Sequence, residues 1–324
     1  MPDRPARLEP PVVTFGEALV AGVPAAGETL DVAGAVRLFP GGAELNFAVG
    51  LARLGVPAQF VGRVGDDPLG RMVGRRLAEA GVDDSALSTT ADGRPTGLYL
   101  RECLSDGARR PYYYRSGSAG AALESNDVAG RAAQARWLHA TGITPALGPD
   151  PRHATLAAVE AARGAGVPVS FDANYRPALW GADAFCDFVV PLLPQLQVLL
   201  MGEEESELLL GTGDPAAALD RARRAGVGLA VLRLGARGAA ALGEDGDLVR
   251  AESPALARDP VGAGDAFDAG FVAGLLSGAS VADGLALGTY CGARVVEWLG
   301  EHEGFPRREE LPDELVTVLG GDVA

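Results

Sequence analysis

Short apolar runs that alternate with amphipathic segments constrain what this chain can fold into. Beyond residue 130 the alternation is regular. Trp137 to Ala140 precedes a helical pattern at about 151–164, Val167 to Phe171 one at about 183–193, and Val198 to Met201 one at 203–210. Leu229 to Leu234 follows a helix at 214–225. Earlier, Val12 to Phe15 precedes Ala43 to Leu54, which sets Phe47, Leu51 and Leu54 on one helical face, and Gln59 to Val64 precedes Leu69, Val73 and Leu77. Two helical segments, about 264–277 and 281–299, close the chain. Strands alternating with helices predict an α/β fold with a mostly parallel sheet covered on both faces. No repeat, low-complexity linker or compositional break divides it, so residues 1–324 read as one domain.

Two stretches break the rhythm. Thr96 to Cys103 and Pro111 to Arg115 are strand-like and flank Asp106-Gly107, a hairpin signal. Residues 22–40 are strand-like without helical period. Together, 22–40 and 96–116 are expected to form a small extra sheet over the carboxyl ends of the main strands, where such folds bind ligands.

Composition enters where it excludes chemistry. All 28 basic residues are arginine and none is lysine, against 43 acidic residues and a net charge of −15. A lysine Schiff base and a P-loop lysine are therefore excluded. An anion must be held by arginine, backbone N–H groups or a metal. The acidic balance, without a basic stretch, argues against a nucleic-acid partner. Cys103, Cys186 and Cys291 lie far apart and read as buried free thiols of a cytoplasmic protein. The N-terminus carries no apolar signal core, and Pro191 and Pro194 break the best apolar run, so no membrane segment is expected. No His, Cys or carboxylate cluster has zinc-site spacing. His139 is expected to end a core strand and His153 to open a surface helix. Trp137, Trp180 and Trp298 read as packing residues.

Two segments carry chemistry. In Asp259-Pro-Val-Gly-Ala-Gly-Asp-Ala-Phe-Asp-Ala-Gly270 a glycine turn opens an apolar helix. Gly262, Ala263 and Gly264 would present N–H groups to an anion at the helix N-terminus. Asp265, in the first turn, can accept a proton from a hydroxyl nucleophile. The same residues also fit a simple turn with Asp265 capping the helix. In Phe39-Pro-Gly-Gly-Ala-Glu-Leu-Asn46, glycines at a strand-to-helix turn allow close approach to a ligand. Asn46 offers a donor and an acceptor to sugar hydroxyls, or serves only helix packing.

In this order, about 220 residues apart, the two segments resemble the paired signatures of the ribokinase-like (PfkB) carbohydrate kinases. Gly62-Arg-Val-Gly-Asp-Asp-Pro-Leu-Gly70 and Leu234-Gly-Ala-Arg-Gly-Ala239 extend the resemblance from about Val12 to Pro306. It implies a three-layer α/β/α sandwich with a β-sheet lid and an ATP-dependent phosphotransferase. Asp265 would be the general base, with Gly262, Ala263 and Gly264 as the anion hole and Mg²⁺ as cofactor. Arg233, Gly235 and Gly238 would lie on the nucleotide side with Gly262 and Gly264, and a homo-oligomer built through the lid is expected.

The sugar is read from Arg110-Pro-Tyr-Tyr-Tyr-Arg-Ser-Gly-Ser-Ala119. Strand alternation puts Tyr113 and Arg115 on one face, where Tyr99 can join them. An arginine among tyrosines suits a small hydroxylated acid, because guanidinium pairs side by side with carboxylate. A second cation, Arg176, lies in Phe171-Asp-Ala-Asn-Tyr-Arg-Pro-Ala-Leu-Trp180. Both stretches resemble those of 2-keto-3-deoxygluconate kinases. That resemblance implies Gly42, Tyr99, Tyr113, Arg115 and Arg176 as sugar-acid contacts and phosphorylation of 2-dehydro-3-deoxy-D-gluconate at its 6-hydroxyl.

Fructokinases share the Arg-Pro-x-Leu-Trp pattern, and a fructokinase is the alternative. A catalytically inactive sugar or nucleotide sensor and a dinucleotide dehydrogenase are the rivals from other classes. The chain departs from the family pattern in three places. Gly202 and Glu205 stand where Asn-x-x-Glu serves the metal, leaving Glu205 as the metal candidate. Asp259-Pro260 replaces Asp-Thr, and Glu301 stands where a shorter aspartate meets the substrate.

Overall fold

The computed structural model describes residues 9–104, 109–253 and 260–320. Thirteen strands are found among them: β1 Val12–Phe15, β2 Leu19–Val23, β3 Arg37–Gly41, β4 Ala58–Gly65, β5 Asp83–Thr90, β6 Gly97–Cys103, β7 Arg109–Tyr114, β8 Trp137–Thr141, β9 Val169–Asp172, β10 Val198–Gly202, β11 Leu229–Arg233, β12 Ala239–Leu242 and β13 Leu248–Ala251. The helices are α1 Ala43–Arg53, α2 Pro68–Ala80, α3 Ser125–Ala132, α4 Pro149–Gly164, α5 Ala182–Val189, α6 Glu203–Leu210, α7 Pro215–Arg224, α8 Ala263–Leu276, α9 Val281–Val295 and α10 Asp313–Val318.

Nine strands form one sheet in the order β13-β12-β11-β10-β9-β8-β1-β4-β5. It is parallel from β11 to β5, and β12 and β13 add an antiparallel edge. The central strands are buried on both faces. Leu199 and Met201 of β10 pack into one apolar cluster with Phe185 and Leu219, while Val198 and Leu200 pack into the other with Phe47 and Phe271. Period-two alternation between two apolar layers is what a helix-covered parallel sheet requires. The α/β class and the three layers follow.

The expected helix at about 183–193 ends at Val189 and continues as a 3₁₀ turn over Val190–Gln195, because Pro191 and Pro194 interrupt α-helical bonding. The last long helix ends at Val295 rather than near 299. β5, β12 and β13 were not expected. β5 is largely exposed, and β12 is a run of three alanines and a leucine, so neither shows a clean apolar period.

A second sheet of four strands has the order β3-β2-β6-β7. Its strands occupy narrower spans than the expected 22–40 and 96–116. Residues 24–36 are not strand, and β2 begins at Leu19, ahead of the expected start. The Asp106-Gly107 turn lies outside the described residues. Across the hairpin Tyr99 faces Tyr113, with ring centroids 5.7 Å apart.

α8 sets the position of the N-terminal turn of the site. Gly270 and Gly274 let it approach α9 until a Cβ on either would stand 3.0 or 3.1 Å from Gly288 Cα or Gly284 Cα. Apart from Asp268, apolar residues fill the rest of its circumference, and nine consecutive residues, Ala266 to Gly274, are buried. A helix this enclosed holds its first turn rigidly.

Candidate active site

Two cavities meet at the start of α8. The first, about 460 Å³, lies between the carboxyl ends of the main strands and the small sheet. Asp172, Arg233 and Asp265 line it from below, and Tyr99, Arg101, Tyr113 and Arg115 from the small sheet and its continuation. Gly42, Asn46, Arg176, Glu205 and Glu301 also reach it. The second, about 330 Å³, is lined by Gly235, Gly238, Ala263, Phe267, Thr289 and Val296 among others. Arg233, Pro260 and Gly264 belong to both walls.

The glycine turn is built for that junction. Gly262 caps α8 with φ 79°, the left-handed region glycine tolerates. A Cβ there would stand 2.0 Å from the carbonyl oxygen of Glu301. The N-cap and first three residues of a helix have no intrahelical acceptor for their N–H groups. Ala263 N–H does not serve the cleft as expected, because it turns back to Pro260 O at 3.2 Å. Gly262, Gly264 and Asp265 supply the N–H groups beside the cavity. Asp259, the first residue of this motif, lies outside the described residues.

Asp265 accepts a hydrogen bond from Asn46 Nδ2 at 2.8 Å. Desolvation in the cleft pushes its carboxyl up to about 7, reinforced by the Asp172 charge and opposed by Asn46, Arg176 and Arg233. Asn46, expected to offer its amide to sugar hydroxyls, lines the cavity and is partly engaged by protein groups. It is buried, and its Oδ1 faces His302 Nδ1 at 3.2 Å, so both ends of the amide already have protein partners.

Arg233 is likewise committed. Nη2 donates to Asp172 Oδ1 at 2.5 Å and Nη1 to Asp268 Oδ1 at 2.9 Å, which raises its pKa. It braces the floor between the cavities rather than extending freely to a nucleotide. Burial holds Asp268 well above the carboxylate range, with Asp172 and Asp265 as neighbouring charges. Asn174 also bonds Asp172, at 3.0 Å, from a left-handed backbone with φ 38°. A non-glycine residue in that region marks a constrained site.

On the small-sheet side, Arg115 pairs with Glu17, stands 5.6 Å over the Tyr113 ring, and is 11% exposed. Its Nε is buried without a hydrogen-bond partner among the described residues. Ser118 donates to the other oxygen of Glu17. Tyr99 donates to Glu301, whose carboxyl burial pushes up to about 7. Arg176 is exposed at the rim, and Gly42, with φ 127°, leaves no room for a side chain beside Glu17 O.

Glu205 is occupied by backbone groups. Its Oε2 accepts from Gly202 N at 2.7 Å and its Oε1 from Tyr175 N at 3.1 Å. No group of three or more His, Cys, Asp or Glu side chains that could cage a metal occurs among the described residues. Mg²⁺ needs no such cage, since it keeps several waters and takes one or two carboxylates plus substrate phosphates. Glu205 fits an outer contact of that kind.

The remaining expectations divide. His139 sits within β8 rather than ending it, stacked 3.7 Å from Phe47. His153 lies on the surface of α4. Trp137 and Trp180 are buried, while Trp298 is 53% exposed with one ring edge against Gly304. Cys291 is buried, while Cys103 and Cys186 are half-buried. No helix among the described residues is long and apolar enough to cross a membrane.

Several site residues escaped the sequence reading. Glu17, Glu44 and Asp172 are buried carboxylates on the cavity wall. Glu44 accepts from Thr141 and Thr144 and stands raised through burial. Asp172 and Asn174 lay inside a quoted motif, so their chemistry was available. Thr289, whose buried hydroxyl has no partner among the described residues, sits in the middle of an apolar helix with nothing to single it out.

A two-cavity cleft joined at a helix N-terminus, with a carboxylate at the joint, is suited to phosphoryl transfer. The pfkB family carbohydrate kinase profile matches residues 10–307, and the chain belongs to that family. It is 35% identical over 273 residues to a 2-dehydro-3-deoxygluconokinase of Bacillus subtilis, covering 83% of this chain and 84% of that one. It is 34% identical over 293 residues to a fructokinase of Klebsiella pneumoniae, covering 88% and 94%. A solved Escherichia coli chain provisionally assigned as a ribokinase II, in complex with ATP and Mg²⁺, superposes with a TM-score of 0.86. That chain is 26% identical, with 97% of this chain and 99% of the other covered. The protein is thus a carbohydrate kinase with ATP as co-substrate, which removes the sensor and the dehydrogenase as readings.

Proposed function

We propose that the chain phosphorylates 2-dehydro-3-deoxy-D-gluconate at its 6-hydroxyl, with the first cavity taking the sugar acid and the second ATP. The observation that carries this reading is Arg115. It lines the sugar cavity with a buried Nε that lacks a hydrogen-bond partner among the described residues, over a tyrosine ring. A carboxylate would satisfy Nε–H and an Nη–H side by side. The B. subtilis relative supports the same substrate.

In this reading Asp265 takes the proton of the 6-hydroxyl as its oxygen bonds to the γ-phosphorus. The bond from that phosphorus to the β,γ-bridging oxygen breaks, and ADP leaves. The N–H groups of Gly262, Gly264 and Asp265 meet the transferring oxygens, where charge accumulates. Glu205 would hold Mg²⁺ through water, and the ion would supply charge neutralisation at the phosphates. The small sheet acts as the lid of one domain and excludes water. Its exposed Leu38, Tyr112 and Tyr114 suit pairing with a second copy in a homo-oligomer, in the cytoplasm.

One observation favours a neutral sugar: Glu17 already offsets the charge of Arg115. A coupled ADP-release assay over sugar acids, fructose and ribose separates the two. Turnover highest with 2-dehydro-3-deoxygluconate supports the proposal, and equal or better turnover of fructose refutes the substrate.

A further inference from the structure

The turn from Gly300 to Phe305 is pinned on several sides. Arg53 Nη1 donates to the carbonyls of His302 and Phe305, both at 2.8 Å. Glu303 Oε2 accepts from the backbone N–H groups of Glu301 and His302 at 2.9 and 3.1 Å. Tyr99 holds Glu301, and Gly262 packs against the Glu301 carbonyl. Inside this turn His302 is fully buried.

Its ring makes one polar contact, to the Asn46 amide. Asn46 Nδ2 donates to Asp265, so Asn46 Oδ1 is the acceptor toward His302, and His302 Nδ1 must carry the proton. Nε2 then bears a lone pair, buried and without a partner among the described residues. An imidazole neutral in the core, with a single working donor, does little for stability that an apolar side chain would not do. Its donor does fix one thing. If the Asn46 amide turned over, its oxygen would face the Asp265 carboxylate and its NH₂ would face the donor of His302. The Asp265 contact would become repulsive, and His302 would have to shift its proton from Nδ1 to Nε2, where no described residue accepts it.

We propose that His302 is a positioning residue for phosphoryl transfer, holding the Asn46 amide in the one orientation that donates to Asp265 and aims its carboxylate. The inference rests on Asp265 being the general base.

The test is a set of variants assayed for kcat, both KM values and pH dependence. His302→Leu is expected to lower kcat about 10- to 100-fold, as misplacement of a reacting group does, with KM for sugar and ATP little changed. His302→Asn places an N–H near Nδ1 and recovers most of kcat. His302→Gln places its amide near Nε2 and does not. On an Asn46→Ala background His302→Leu costs nothing further, because the pair acts as a unit. In His302→Leu the acid limb of kcat moves to higher pH, since Asp265 loses a donor to its charged form. The Asp172, Asp268, Glu301, Arg176 and Arg233 groups around it are unchanged.

Equal losses in the Asn and Gln variants, multiplicative losses with Asn46→Ala, or a loss confined to KM would overturn the proposal. If the leucine variant fails to fold, the Asn and Gln pair decides alone. Asp265→Asn is run alongside. If it retains kcat, the base assignment fails and the inference falls with it. If it loses kcat while the His302 set shows no pattern, only the positioning role fails.

Discussion

Replacing Gly262 by alanine adds one methyl group at the point where the two cavities join. Two costs follow from the geometry. The backbone sits at φ 79°, where a side chain costs roughly 1–2 kcal/mol. The new Cβ would also stand 2.0 Å from Glu301 O, against the 3.0 Å that real Cβ atoms keep. Relief therefore requires a displacement of about an ångström, and Glu301 is held by Tyr99 and by Glu303. The α8 turn has to give, which moves the N–H groups of Gly264 and Asp265 away from the transferring phosphoryl. Loss of one such donor costs about 10²- to 10³-fold in kcat.

The same coupled assay measures this, with melting curves for each variant. Gly81→Ala is the control. Gly81 has nearly the same backbone, φ 77°, but nothing within 4 Å of the added Cβ, and it ends α2 far from the cleft. It should lose stability by roughly the same 1–2 kcal/mol and keep its kcat. A Gly262→Ala enzyme with kcat within about twofold of wild type, folded and with both KM values intact, would refute the anion-hole reasoning.

Asp265→Asn should lower kcat by about 10²- to 10⁴-fold, the range for a lost general base. In the wild type kcat should rise with pH through about 7, as Asp265 ionises. The same raised pKa stabilises the fold below the ordinary carboxylate value near 3.8, and that contribution is lost as pH rises through about 7. Asp265→Asn should therefore flatten part of the fall in melting temperature over that window. Arg115→Gln leaves Glu17 buried without its partner and should destabilise the protein by about 3–5 kcal/mol, while Glu17→Gln combined with it recovers much of the loss in a denaturant titration. In that double variant KM for a sugar acid should rise at least about tenfold and KM for a neutral sugar should change little. Thr289→Val should alter KM for ATP and leave KM for the sugar unchanged, because Thr289 lines only the second cavity.

What the sequence made legible is what local chemistry writes into one segment. The α8 turn could be read because its glycines and Asp265 are neighbours in the chain, and the parallel sheet because its buried strands are short, mostly apolar runs. Pairings across long separations could not be read. The Asn46–Asp265 contact spans 219 residues and the His302–Asn46 contact 256. Asn46 looked free only because nothing beside it in sequence claims its amide. Glu17 was invisible for the same reason, since Arg115 reaches it from a different strand system. The edge strand β12 was hidden for another cause: its alanines carry too little apolar contrast to show a period of two.

The absence of lysine acquires its meaning from these long-range pairs. A lone cation at the phosphates would be the obvious substitute, and Arg233 stands in the right place. Yet Arg233 lies between Asp172 and Asp268 and is neutralised before any ligand arrives. Arg115 is offset in the same way by Glu17. Arginine here works as a braced fork whose geometry is fixed by carboxylates, which is what its planar, multiply bonded guanidinium does better than an ammonium. In the proposed reaction the N-terminal amides of α8 supply positive potential at the phosphates together with Arg176, which lines the same cavity. Those amides are fixed dipoles on a helix buried around its whole circumference, and they need no reorganisation as charge moves. On the proposed reading a chain of net charge −15 binds ATP through an attraction built into the first turn of one helix.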